Sequence, residues 1–124
     1  MVFNDLKQLN GQMIQYYEVR GNKVTPKTAQ VRYNGYINTI ILMDYDRLGR
    51  YIHDTVIPLS TDTNKRAGES SMVIASCYGS GEKLIYLQKE DAYNIVIKKL
   101  REERRNIDKK MFALQKELYK KQNI

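Results

Sequence analysis

The chain contains one cysteine and one histidine, Cys77 and His53, and a nucleophilic site would have to be built from these two residues. A reactive thiol needs a base beside it and a third group that orients the base, and no residue at a recognisable spacing supplies that third group. One histidine and one cysteine also fall short of a common zinc ligand set. We therefore expect no catalytic residue, no metal and no cofactor, and we expect Cys77 to act as a small buried hydrophobe.

The stretch SCYGSGEK, from Ser76 to Lys83, combines glycines, a serine and a lysine, as phosphate-binding loops do. The nucleotide-binding loop needs the spacing G-x-x-x-x-G-K-[ST] and a helix after it, whereas here the strand-like LIYLQ follows. The GSG at 79–81 fits better as the tip of a β-hairpin, because glycine readily adopts positive φ. The candidate binding residue of this stretch is therefore Tyr78, whose ring could stack on a base.

A second candidate site lies further along the chain, where Arg101, Arg104 and Arg105 form a guanidinium cluster. A guanidinium group binds phosphate in a bidentate manner, so this cluster could hold the phosphates of a nucleotide. Alternatively, Arg104 forms an ion pair with an acidic residue of a facing helix and sets the register between the two helices. The sequence leaves both interpretations open.

The charge of the chain favours an anionic partner. Lysine and arginine number 21 against 14 aspartate and glutamate, a formal net charge of +7, and the aromatic residues are ten Tyr, two Phe and no Trp. A basic surface attracts anions, although the same charge can simply serve solubility. No apolar run approaches the roughly 20 residues that cross a bilayer, and no secretion signal is evident. We expect a cytoplasmic protein that does not enter membranes.

Short runs rich in Ile, Val, Tyr and Thr, separated by turn signals, fill the chain from about residue 12 to residue 88. They predict five or six antiparallel strands in a small barrel or a curled sheet. The predicted strands are residues 13–20, 29–33, 36–43, 51–57, 72–78 and 83–88. Asn34-Gly35 is the strongest turn signal, because both central residues of a type I′ hairpin turn need positive φ.

A polar stretch without aromatic residues, 59–71, lies between the fourth and fifth predicted strands. Loops of this length are usually functional or disordered. Lys65 and Arg66 make this loop a candidate lid over a bound anion. Residues 1–88 therefore form one β-body that carries this loop.

A different periodicity predicts one long basic helix, from about Glu90 to Lys121, within the C-terminal segment 89–124. A heptad seam steps by four and three residues through Tyr93, Ile97, Leu100, Arg104, Ile107, Met111, Leu114 and Leu118. Such a helix would be about 48 Å long, more than a β-body of about 75 residues can cover. We therefore expect an α+β protein that forms a homo-oligomer through the apolar members of the seam.

A small β-rich body followed by a C-terminal helix, without catalytic residues, resembles the phage-encoded Thoeris anti-defence proteins that act as signal sponges. The resemblance covers about residues 50–110 and rests on an aromatic, an amide and arginines in a similar order. Here these are Tyr78, Gln88 and Arg105, with Arg50 upstream. That family encloses cyclic ADP-ribose-type nucleotides without cleaving them, so the resemblance implies capture of such a signal.

The leading hypothesis is a non-enzymatic binding protein that sequesters a small phosphate-bearing nucleotide, in the host cytoplasm if the protein is phage-encoded. The ligand-binding candidates are Tyr78, Tyr86, Gln88, Arg50, Arg101, Arg104 and Arg105. One alternative is a basic nucleic-acid-binding or regulatory domain, whose affinity would fall steeply with salt. A second alternative is an adaptor that binds another protein through the helix.

Overall fold

The computed structural model describes residues 1–64, 70–77 and 81–122 of the 124-residue chain. A short 3₁₀-helix, Phe3–Gln8, is followed by six strands and one helix. These are β1 (Met13–Arg20), β2 (Lys23–Asn34), β3 (Thr39–Tyr45), β4 (Tyr51–Pro58), β5 (Met72–Cys77), β6 (Gly81–Tyr86) and α1 (Lys89–Gln122). The strands form a closed antiparallel barrel, which confirms the predicted α+β architecture of a small barrel followed by one long helix.

The strands pair in chain order, and β6 returns to β1 to close the barrel. Long ladders join β1, β2, β3 and β4. Two junctions are short among the residues that the structure describes. β4 meets β5 through Thr55–Cys77 and Val56–Ser76, and β6 meets β1 through three residue pairs. Side chains therefore have to contribute to closure at these two junctions.

The two ends of the barrel differ in what they carry. Because successive strands run in opposite directions, the connections after β1, β3 and β5 lie at one end, which we call the hairpin end. The N-terminal 3₁₀-helix, the connections after β2 and β4, and the start of α1 lie at the other, which we call the helix end. A residue near one end is separated from the other by the length of a strand.

Apolar side chains that alternate along the strands fill the barrel toward the helix end. Phe3 and Leu6 of the 3₁₀-helix are fully buried against this core, and the Phe3 backbone N–H donates to Ser70 O at 2.9 Å. The other buried members of the core are Tyr16, Ala29, Val31, Ile40, Leu42, Ile57, Leu59, Val73, Ala75 and Ile85. The helix end is thus closed by packed hydrocarbon.

The hairpin between β2 and β3 is present, but its predicted turn type was wrong. β3 begins only at Thr39, four turn residues after Asn34, and the positive φ falls on Asn38, at 45°. The Tyr36 backbone N–H donates to the Asn34 side-chain oxygen at 3.1 Å. Because this side chain bonds two residues ahead, it favours a wider turn over the two-residue type I′ turn.

The start of β2 was missed because it contains Pro26, and proline is rare inside sheets. Pro26 pairs with Tyr17 of β1, whereas the ladder between β2 and β3 begins only at Thr28. Proline is tolerated in this part of β2 because the strand has a neighbour on one side alone.

Helix α1 is 34 residues long, about 51 Å, and only its first two turns are covered. It contacts β1, β2 and β6, and its buried side chains are Ala92 and Val96. The Ser71 hydroxyl donates to Asp91 in the first turn at 2.7 Å. Every residue from 97 to 120 is exposed. Among the described residues, no helix is long and apolar enough to cross a membrane.

Asn64 bridges β4 and β5 beyond their short ladder. Its amide nitrogen donates to Pro58 O at 3.0 Å and to Ile74 O at 2.7 Å, and its oxygen accepts from Ile74 N–H at 3.0 Å. The residue is 2% exposed. The first part of the 59–71 loop is therefore fixed to the barrel, whereas the lid candidates Lys65 and Arg66 lie outside the described residues.

We predict that Asn64→Ala lowers the free energy of unfolding by about 1–3 kcal/mol, because it removes three hydrogen bonds and leaves partly buried backbone groups of Pro58 and Ile74 without these partners. Urea unfolding measures the change. Asn94→Ala is the matched control, since Asn94 is exposed on α1, and it should change stability by less than about 0.5 kcal/mol. Equal losses in the two variants would contradict this assignment.

Candidate functional site: the charged hairpin end

Polar and charged side chains replace hydrocarbon inside the barrel toward its hairpin end. Every second residue of a strand points into the barrel. In β1 the inward-facing residue after Tyr16 is Glu18, and in β3 the one after Leu42 is Asp44. Buried polar residues of the barrel strands that face this end are Glu18, Asp44, Thr55 and Lys83. They form two clusters, one around each carboxylate.

The Asp44 cluster joins β1, β3 and β4. Tyr16 Oη donates to Asp44 Oδ1 at 2.6 Å, and Thr55 Oγ1 donates to Asp44 Oδ2 at 2.6 Å. Both distances lie at the short end of the range for hydroxyl groups that donate to oxygen. Burial in the first place, and the hydrogen bond to Asp44 in the second, raise the pKa of Tyr16 well above its ordinary value. Tyr16 therefore stays protonated and serves as a permanent donor.

His53 approaches the same carboxylate from β4. Its Nε2 lies 3.1 Å from Asp44 Oδ2, yet this buried atom makes no hydrogen bond within the described part of the chain. His53 is thus a close neighbour of the Asp44 carboxylate.

The Glu18 cluster places three cations around one carboxylate. Arg20 Nη2 lies 3.1 Å from Glu18 Oε1, and the Lys27 and Lys83 ammonium groups lie 3.8 Å and 3.7 Å from Oε2. The side chains of Glu18 and Lys83 are 7% and 4% exposed. Buried charges need partners, and one carboxylate cannot neutralise three cations. Within this cluster the cations therefore outnumber the carboxylate, while Asp44, Asp46 and Glu82 add negative charge toward the same end of the barrel.

Lys27 connects the Glu18 cluster with a depression on the outside of the barrel, which we call the Lys27 depression. Pro26, Lys27, Thr28, Tyr45, Asp46, Arg47 and Ile52 line it. The Tyr45 ring packs edge-on against Tyr51, with ring centroids 6.1 Å apart. The lining thus combines two cations, an aromatic ring and apolar side chains with the Asp46 carboxylate, which is paired with Arg50. The two cations and the ring are the groups that can take a flat ligand carrying negative charge.

The predicted ligand residues are divided between the two ends of the barrel. Arg50 lies at the hairpin end, where its Nε donates to Asp46 Oδ2 at 2.9 Å. Hydrogen bonds from Arg50, the backbone N–H first, hold the pKa of Asp46 below its ordinary value. Tyr86 and Gln88 lie at the helix end, and Tyr86 is buried with 7% exposure. Tyr78 lies outside the described residues.

The three helical arginines are exposed and lie beyond the turns of α1 that pack on the barrel. Within the ranges the structure describes, Arg101, Arg104 and Arg105 make no ion pair, and no hydrogen bond joins them to Tyr86 or Gln88. A single copy of the chain thus leaves their guanidinium groups available to another molecule.

Sequence reasoning missed the residues that converge at the hairpin end, although one signal was present. Glu18, Asp44 and Lys83 stand in the inward phase of strands whose other inward residues are apolar. Asp44 points into the barrel, whereas Asp46 caps the turn that leads to β4. No group of His, Cys, Asp or Glu that could hold a metal occurs among the residues described.

Fold and site together define a small closed antiparallel barrel with a charged interior at one end and an exposed helix leaving the other. No protein-family model matches the chain, and neither the curated proteins nor the solved structures contain a match. The resemblance to signal sponges therefore stays a prediction.

We predict that Tyr16→Phe lowers the free energy of unfolding by about 1–3 kcal/mol, because the buried Asp44 carboxylate loses one of its two hydroxyl donors. Chemical denaturation followed by circular dichroism measures it. Tyr36→Phe removes the same hydroxyl from a fully exposed ring and should leave stability unchanged. A Tyr16 variant as stable as the Tyr36 variant would rule out a structural role for the cluster.

Proposed function

We propose that this protein is a non-enzymatic binding protein that captures a small phosphate-bearing nucleotide at the hairpin end of its barrel. The observation that carries the proposal is the excess of cations around Glu18, with Lys27 shared between that carboxylate and the surface depression. A phosphate bound there would accept from Lys27, whose ammonium group shares the Glu18 carboxylate with two other cations.

The Lys27 depression supplies the two kinds of contact that a nucleotide needs. Lys27 and Arg47 would hold phosphate oxygens, since ammonium and guanidinium groups both donate strongly to phosphate. Tyr45 would stack on the base or on the ribose, with Ile52 extending the apolar floor.

Capture without turnover agrees with the chemistry of the site. Tyr16 is held protonated, and Asp44 is occupied by two hydroxyl donors. Glu18 is surrounded by three cations. These groups are arranged to hold charge in place, as a sponge for a cyclic ADP-ribose-type signal would require.

The exposed helical arginines are the alternative phosphate-holding set, and a matched set of variants separates the two locations. Lys27→Gln tests the hairpin end, Arg105→Gln tests the helix, and Lys98→Gln removes one charge from an exposed helical position outside both sets. Isothermal titration with cyclic ADP-ribose, ADP-ribose, ATP and adenosine measures binding to each protein.

We expect at least one phosphate-bearing nucleotide to bind and adenosine not to bind. Lys27→Gln should weaken binding about tenfold, roughly 1.4 kcal/mol, whereas Arg105→Gln and Lys98→Gln should leave it within about twofold. A loss confined to Arg105→Gln would move the site to the helix.

The absence of binding by every nucleotide would overturn the proposal. Binding of oligonucleotides that falls steeply between two salt concentrations, without nucleotide binding, would support the nucleic-acid alternative, because released counterions drive such binding.

A further inference from the structure

The exposed part of α1 is a surface without a partner in the single chain. Apolar members of the seam are between 42% and 66% exposed, and they include Ile97, Leu100, Ile107, Met111, Leu114 and Leu118. A helix that lacks tertiary packing over more than 20 residues is marginal in water, since most helical stability comes from packing. We therefore expect this face of α1 to pack against another helix or protein surface.

The packed and unpacked faces of the helix are distinct. Ala92 and Val96 contact the barrel, whereas Tyr93 and Ile97 in the same two turns are 44% and 42% exposed. At about 100° per residue the two faces are centred roughly a quarter turn apart around the helix. A partner can thus lie along the seam from its first layer without displacing the barrel.

We infer that the partner is a second copy of α1, and that the two helices pair in the antiparallel direction. The seam steps by 4, 3, 4, 3, 4, 3 and 4 residues, which reads the same from either end. Turning one copy around therefore brings every seam position onto a seam position of the other. The layers are Tyr93–Leu118, Ile97–Leu114, Leu100–Met111 and Arg104–Ile107, each occurring twice by symmetry.

Charges that flank the seam select this direction. In the antiparallel register Arg101 faces Asp108 of the second copy, and Glu103 faces Lys110 of the second copy. Both contacts are attractive, and both occur twice. Residues beside the seam set the orientation of paired helices in this way.

The parallel alternative brings like charges together. In register, Arg104 would face Arg104 of the second copy inside the seam, and Glu103 would face Asp108 of the second copy at its edge. In the antiparallel register Arg104 instead faces Ile107, and its long side chain can extend to the solvent at the edge of the seam. The arginine that interrupts the seam thus acts against the parallel arrangement.

A charge reversal tests both the partner and the direction. Glu103→Lys would turn two attractions with Lys110 into two repulsions, so the dissociation constant of the dimer should rise about tenfold. The double variant Glu103→Lys with Lys110→Glu should restore the original value. Glu102→Lys makes the same change on the outer side of the helix and serves as the matched control. Sedimentation equilibrium over a range of protein concentrations measures each constant.

The outcomes separate clearly. A dimer that is weakened by Glu103→Lys, restored by the double variant and unchanged by Glu102→Lys supports the antiparallel pair. A parallel dimer would be strengthened by Glu103→Lys, because the introduced ammonium group would then face Asp108 of the second copy. That result, a protein that stays monomeric at high concentration, or a larger assembly would each overturn the inference.

Disulfide formation provides an independent geometric readout in a Cys77→Ser background. Leu100→Cys and Met111→Cys proteins, mixed and oxidised, should form a covalent heterodimer, whereas each protein alone should form little covalent dimer. In the antiparallel register residue 100 faces residue 111, and two copies of residue 100 lie too far apart for a disulfide. Cross-linking of the Leu100→Cys protein with itself, and not with the other, would indicate parallel helices and overturn the inference.

Discussion

The carboxylate of Glu18 and the ammonium group of Lys83 lie 3.7 Å apart inside the barrel, at the junction where β6 returns to β1. Only three residue pairs join these strands, so the ion pair crosses the barrel where its backbone ladder is short. Breaking a buried pair by removing one partner typically costs about 3–5 kcal/mol, because the remaining charge has no water around it. The same carboxylate draws Arg20 and Lys27 toward it. The Glu18 carboxylate therefore both helps to close the barrel and gathers cations at the hairpin end.

Other polar side chains join strands in the same way. Asp44 accepts hydrogen bonds from Tyr16 and Thr55 and so connects β1, β3 and β4 inside the barrel. Asn64 connects β4 with β5 beyond the end of their backbone ladder. Buried polar groups of this kind contribute only when every partner is present, because an unpaired one is expensive in a medium of low dielectric constant. The barrel is thus held by hydrocarbon at its helix end, and toward its hairpin end by the hydrogen bonds of Asp44 and the ion pairs of Glu18.

Barrel and helix present separate surfaces. The charged interior opens at the hairpin end, whereas α1 leaves from the helix end and is exposed from residue 97 onward. In the proposed dimer each helix would cover the other, and both hairpin ends would stay open to solvent. Ligand capture and self-association can therefore be altered independently, and a defect in one does not imply a defect in the other.

Local patterns in the sequence were sufficient for the elements. Each of the six predicted strands overlaps an observed one, and α1 begins at Lys89, next to the predicted start at Glu90. Alternation of apolar residues and a heptad seam are properties of neighbouring residues, so they can be read without knowing the fold. The β2–β3 turn and the start of β2 were misjudged because one asparagine bond and a one-sided ladder override local preference.

The candidate site could not be read in the same way. In the sequence, Glu18 is distinguished only as a charged residue at a strand position that alternates with inward-facing apolar residues. Its partners Lys27 and Lys83 come from β2 and β6, and the register of β6 against β1 depends on closure of the whole barrel. Closure also separates Arg50 from Gln88, which the order of residues had grouped together. Sequence thus specifies the strands, the helix and the net charge, because these depend on local spacing. Which charged side chains come into contact depends on the pairing of strands that are distant in the sequence, and that pairing exists only in the folded barrel.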